Sequence, residues 1–166
     1  MMKRTDSDII VHPIPPVYDK NSKILVLGSF PSVKSRECGF FYGHPQNRFW
    51  RVVAGLCGEQ VPVTIEEKRR MLLRNGIAVW DVIRSCKITG SADSSIKNVV
   101  PNDICGMINE SGIERIFTNG KKADELYKKY IESKTGIKAV CLPSTSPANA
   151  AWTIERLTEK WSIILE

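Results

Sequence analysis

The run Ile24-Leu25-Val26-Leu27, closed by Gly28, offers no polar residue to water on either side. A strand with that pattern has to be covered on both faces, as the strands of a parallel sheet are. Residues 78–83, 113–118 and 137–142 repeat the theme in short segments rich in β-branched or aromatic side chains. Helical patterns fill the gaps. Pro45 suits a first helical position, and Phe49, Trp50, Val52, Val53, Leu56 and Cys57 make an apolar stripe that stops at Gly58. Thr64 and Glu67 form a capping box before Met71, Leu72 and Leu73, with Gly76 as the stop. Residues 101–110 read as a third helix closed by Gly112. Residues 120–133 read as a fourth, with Ala123, Leu126, Tyr127 and Tyr130 on one face. Residues 152–165 read as the last, with Ile154, Leu157, Trp161 and Leu165 at helical spacing.

The order β-αα-β-α-β-α-β-α predicts an α/β fold: one three-layer domain over residues 1–166, a four-stranded parallel sheet with helices on both faces. Residues 1–22 are polar and carry Pro13, Pro15 and Pro16, which predicts an extended lead-in packed on the body. A chain of 166 residues buries roughly 70% of its unfolded surface, so a core suffices without disulfides or metal.

Several function classes drop out on composition. No apolar run approaches the ~20 residues of a membrane helix, and residues 1–8 lack the apolar core of a secretion signal. The five cysteines (38, 57, 86, 105 and 141) are odd in number and widely spaced, which predicts free thiols and a cytoplasmic setting. His12 and His44 are the two histidines, and no ligand spacing marks a zinc or iron–sulfur site, so no metal is expected. The 24 Lys+Arg against 18 Asp+Glu leave a net charge of +6. That suits a polyanionic partner without selecting one.

In parallel sheets ligands sit beyond the carboxyl ends of the strands. Those ends lead into residues 28–32, then the string Phe41-Tyr42-Gly43-His44-Pro45-Gln46-Asn47-Arg48-Phe49-Trp50. They also lead into residues 90–96, 118–122 and 142–149. These segments are rich in small residues, hydroxyls, amides and helix starts, which suit phosphate or another anion. The same residues also serve as ordinary caps and turns.

The string at 41–50, with residues 28–32 and 142–149 as first and second signatures, resembles the uracil-DNA glycosylase superfamily from Ile24 to about Trp161. It is most similar to the hypoxanthine-DNA (deoxyinosine) glycosylase branch, near the mismatch-specific uracil/thymine enzymes. The resemblance implies a DNA-repair hydrolase that flips a deaminated base, hypoxanthine first and uracil second, and hydrolyses its N-glycosidic bond. No lysine falls where a Schiff base would form, so the resemblance implies monofunctional chemistry that needs no metal or redox cofactor, with damaged DNA as partner, no membrane and a monomer.

The resemblance also distributes roles. Gly28, Ser29 and Phe30 line the base pocket, and Tyr42 stacks on the base; the alternative for Tyr42 is a core ring beside Phe40 and Phe41. Asp81 accepts the ring N–H of the base, or else serves as a capping or ion-paired acid. Phe30 stands where many relatives hold a polar side chain that orients water. This departure makes Asn47 the first choice for holding water through its carbonyl, against a helix-start hydrogen bond; Asp81 is the second catalytic candidate. Ser32, His44, Ser144, Thr145, Ser146, Lys121 and Lys122 are candidates for the DNA backbone. The departure also keeps open a non-catalytic DNA-binding module, or a nucleotide-binding protein, on the same fold.

Overall fold

The computed structural model describes residues 8–166; the first seven residues of the expected lead-in lie outside them. The strands are β1 (Ile10–Val11), β2 (Ile24–Gly28), β3 (Ile77–Asp81), β4 (Ile83–Lys87), β5 (Lys97–Pro101), β6 (Arg115–Asn119) and β7 (Val140–Leu142). The helices are α1 (Val33–Cys38), α2 (Phe49–Cys57), α3 (Ile65–Arg74), α4 (Ile104–Asn109), α5 (Lys121–Tyr130), α6 (Glu132–Thr135) and α7 (Ile154–Trp161). A parallel sheet in the order β3-β2-β6-β7 forms the centre, as the apolar runs predict.

The alternation of β2 explains why it needs cover on both sides. Ile24 and Val26 pack with Val52, Val53, Met71, Leu72, Leu157 and Trp161, from α2, α3 and α7. Leu25 and Leu27 pack with Ile83, Cys86, Ile104, Met107, Leu126 and Tyr127, from β4, α4 and α5. No residue of β2 is exposed. The Thr64–Glu67 capping box opens α3 in full.

The structure corrects the sequence reading at several boundaries. The run 78–83 does not continue as one strand. β3 ends at Asp81, and the chain turns so that Val82 N–H donates to the Gly28 carbonyl (2.8 Å) and Ile83 N–H to that of Ser29 (3.1 Å). β4 then joins a second, antiparallel sheet, β1-β4-β5, absent from the sequence reading. Its strand β1 belongs to the lead-in, and Val17 bridges to Val79, so residues 8–22 are tied to both sheets. Pro45 does not open a helix: residues 45 and 46 form a turn, and α2 starts at Phe49. Pro101 closes β5, and α4 starts beyond Asp103, whose side chain accepts from Gly106 N–H. The stretch 120–133 divides into α5 and the short α6, and residues 162–165 finish as a 3₁₀ turn after α7. α1 occupies part of a segment read as loop, capped by Ser32.

Phe117 lies on β6, fully buried among the core residues packed with α2 and α7. Phe117→Ala is expected to cost about 3–5 kcal/mol. A urea titration with a lowered midpoint and unchanged slope would bear this out, whereas a loss below about 1 kcal/mol would contradict this core assignment.

Candidate active site

The parallel register aligns the strand ends. Gly28 of β2 pairs with Asp81 of β3, Leu27 pairs with Thr118 of β6, and Asn119 pairs with Leu142 of β7. Beyond this line lies a cleft of about 160 Å³. Its walls bring together Gly28, Ser29, Phe30, Ser32, Tyr42, Asn47, Asp81, Ser144, Thr145 and Ser146 from the candidates named above. Lys121 and Lys122 lie instead along an adjoining groove of about 810 Å³, which shares Ser29, Asn119, Ser144 and Ser146 with the cleft. His44 lines neither; its Nδ1 accepts from Gln46 N–H (3.1 Å), which fixes the turn before α2.

Gly28 is required by proximity. A Cβ there would run into Oδ1 of Asp81 and touch the Tyr42 hydroxyl. The Asp81 side chain is only 5% exposed, and its Oδ2 lies 2.7 Å from Nε2 of His12, whose side chain is 3% exposed. His12 comes from the lead-in, and sequence reading gave it no role. Nothing local could have revealed it, because its partner is 69 positions away. Phe30 sets its ring edge-on to His12 at 5.8 Å between centroids, so the residue that departs from the family pattern is part of this pair's apolar wall.

Tyr42 stacks on Phe49 at 4.1 Å with its ring 20° from parallel. Its backbone is left-handed at φ 52°, an uncommon conformation for an aromatic residue. The phenol oxygen is buried without a hydrogen-bond partner. Burial, then the charge of Asp81, pushes its pKa far above the ordinary tyrosine value; the Asn119 amide offsets a little of this without reaching hydrogen-bond geometry. Tyr42 therefore stays neutral at any working pH.

Asn47 does not sit as expected. Its Oδ1 accepts Phe49 N–H (3.0 Å) and the Thr145 hydroxyl (2.9 Å). The carbonyl expected to hold water is thus fully engaged, and the fixed Phe49 donor sets the amide's orientation. The Nδ2 group is what remains for the cleft. Thr145 is fully buried, and its hydroxyl, which also accepts from Asn119 Nδ2 (3.0 Å), serves this internal network rather than the surface. Asn119 Oδ1 accepts Thr145 N–H in return (3.0 Å). Asn119 was missed in the sequence, although its place directly after an apolar run matches that of Asp81.

The second signature loop is held by Arg48. Its backbone N–H and Nε donate to the Thr145 carbonyl (3.1 and 3.4 Å), and its guanidinium also reaches the carbonyls of Ser146 (2.7 Å), Asn149 (3.1 Å) and Trp152. Ser144 and Ser146 hydroxyls accept N–H groups two residues on (3.1 and 3.2 Å), so each hydroxyl proton remains free to donate. Gly120, at φ 96°, starts α5 against Ser144. Ser32, by contrast, is engaged in capping α1, with its hydroxyl donating to Ser35 Oγ (3.1 Å).

Asp93 stands at the mouth of both cleft and groove. Its residue is open to solvent, yet its carboxyl is set among the walls, and this desolvation raises its pKa; the Ser29 hydroxyl and Lys122 counter part of the rise.

With this geometry in hand, comparison with known proteins assigns the class. Residues 15–165 match the family model of the uracil DNA glycosylase superfamily. The chain belongs to that superfamily. A Methanosarcina acetivorans protein named hypoxanthine DNA glycosylase is 36% identical over 152 residues, covering 90% of this chain and 94% of its own. A Methanosarcina barkeri protein of the same name is 34% identical over 137 residues, covering 81% and 85%. The solution structure of a Methanosarcina acetivorans protein described as a candidate uracil DNA glycosylase superposes with a TM-score of 0.81 at 34% identity, covering 95% and 97%. No helix among the described residues is long and apolar enough to cross a membrane.

Tyr42→Phe removes a buried hydroxyl that bonds to nothing, so stability at neutral pH is expected to stay level or rise by about 1 kcal/mol. Unfolded tyrosine loses its proton near pH ~10 while folded Tyr42 keeps it, so wild-type stability falls as pH rises past that point. The variant should show a shallower fall between about pH 9.5 and about pH 11.5 in urea titrations; parallel curves would contradict the assigned environment.

Proposed function

We propose that this chain is a monofunctional DNA glycosylase that flips a deaminated base, hypoxanthine first and uracil second, from the duplex and hydrolyses its N-glycosidic bond. The observation that carries the reading is the strand-end cleft in which both signature loops meet around Tyr42, Asn47 and Asp81. The relatives named hypoxanthine DNA glycosylase support the order of bases. The chain acts as one domain over residues 1–166, as a monomer, and the free cysteines fit a cytoplasmic setting.

Gly28, Ser29 and Phe30 form the floor of the base pocket. Tyr42 stacks on the base with the face turned away from Phe49, a contact worth roughly 1–3 kcal/mol. Asp81 accepts the ring N–H, and a backbone N–H or water serves the neighbouring carbonyl. Asn47 orients the attacking water by donating from Nδ2. The water oxygen bonds to C1′ as the C1′–N bond breaks, and the bonding pair leaves with the base nitrogen. The base gains a proton as water loses one, so the products are a neutral base and an abasic sugar. Ser144 and Ser146 donate their free hydroxyl protons to flanking phosphates, with Lys121 and Lys122 as cationic contacts further along the groove.

Duplexes carrying hypoxanthine, uracil, xanthine or a thymine mismatch, treated with alkali after incubation, test the activity. Cleavage at hypoxanthine supports the proposal. Binding without cleavage would instead indicate a DNA-binding module, and neither would leave a nucleotide binder. Asn47→Ala is expected to slow single-turnover hypoxanthine release at least about tenfold with DNA affinity little changed; wild-type turnover would remove Asn47 from the chemistry. Lys121→Ala and Lys122→Ala should each flatten the slope of log K against log salt by about 1. An unchanged slope would return both lysines to ordinary surface.

A further inference from the structure

The His12 side chain is buried, polar and outside the cleft, and the mechanism above gives it nothing to do. Its backbone N–H continues the β1–β4 ladder by donating to the Arg84 carbonyl (2.7 Å). Its Nδ1 faces Ile14 N–H at 3.2 Å. A backbone N–H can only donate, so Nδ1 accepts and the ring hydrogen sits on Nε2. That proton points at Oδ2 of Asp81, 2.7 Å away. Phe30, Phe41 and Trp80 surround the ring, with centroids at 5.8, 6.0 and 6.5 Å, and restrict its movement.

The consequence falls on the other oxygen of Asp81. With Oδ2 occupied by a donor, Oδ1 stands over Gly28 at the cleft wall as an acceptor. A fixed acceptor pairs with a base whose ring nitrogen carries a hydrogen, which is what deamination creates at N1 of hypoxanthine and N3 of uracil. It opposes the bare lone pair at N1 of adenine or N3 of cytosine.

We propose that His12 is the positioning residue that holds Asp81 as a proton acceptor facing the cleft, and thereby sets the preference for deaminated over amino bases. The inference rests on the reading that Asp81 contacts the base edge.

The test uses the full chain with His12→Gln, His12→Asn and Asp81→Ala. Duplexes carry a non-hydrolysable 2′-fluoro nucleotide with either hypoxanthine or adenine, and the readout is the ratio of the two affinities. Glutamine places an amide near the imidazole Nε2 and can still donate to Asp81, whereas asparagine reaches only the Nδ1 position. His12→Gln is expected to keep the wild-type ratio, and His12→Asn to narrow it roughly tenfold, the scale of a lost charge-assisted hydrogen bond. Affinity for undamaged duplex should be unchanged in both, a result that a generally loosened fold would not give. A wild-type ratio in His12→Asn, with a collapsed ratio in Asp81→Ala, would overturn the role of His12 alone. A wild-type ratio in Asp81→Ala would overturn the base-reading role beneath it as well.

Discussion

The parallel pairing of β2 stays in register with β3 to Gly28 and with β6 to Leu27, and the site depends on that. Because Gly28, Asp81 and Asn119 end their strands at one level, three polar or close-packed positions distant in sequence become neighbours. Hydrogen bonds to Gly28 and Ser29 carry the pairing one step past the strand end and turn the chain towards β4. A slip of one residue would swap the faces of β2 and move the Asp81 carboxylate away from Gly28.

Around that line the protein accepts local costs. Tyr42 has a left-handed backbone and a hydroxyl with no partner, and Asp93 carries a carboxyl that burial disfavours in its charged form. Such features persist where surrounding structure over-determines them, and they gather at functional sites. Here the restraint comes from the Phe49 stack on Tyr42 and from the linked amides of Asn47 and Asn119, joined through Thr145.

The central sheet was legible in the sequence because burial on both faces leaves a local imprint, an apolar run with a glycine at its end. The capping box at Thr64 was legible for the same reason, as both partners lie within one turn. The second sheet left no such imprint. β5 contains Pro101 and a left-handed Asn98, and β4 follows β3 with Val82 alone between them, so the pair read as one strand followed by loop. The cleft's composition was legible from the strand ends. Its wiring was not, since the His12–Asp81 and Asn47–Thr145 bonds join residues 69 and 98 positions apart. The direction of the Asn47 amide also depends on a backbone donor that sequence does not orient.

Arg48 grips the second signature loop by its carbonyls. Every residue type has a carbonyl, so this grip itself does not depend on which side chains the loop displays. Ala148, exposed and outside the side-chain bonds of Ser144, Thr145, Ser146 and Asn149, can therefore change what it offers to a DNA backbone or a neighbouring base while the loop keeps its course. A single guanidinium on the rim of α2 thus makes this position a replaceable reading head on a fixed mount.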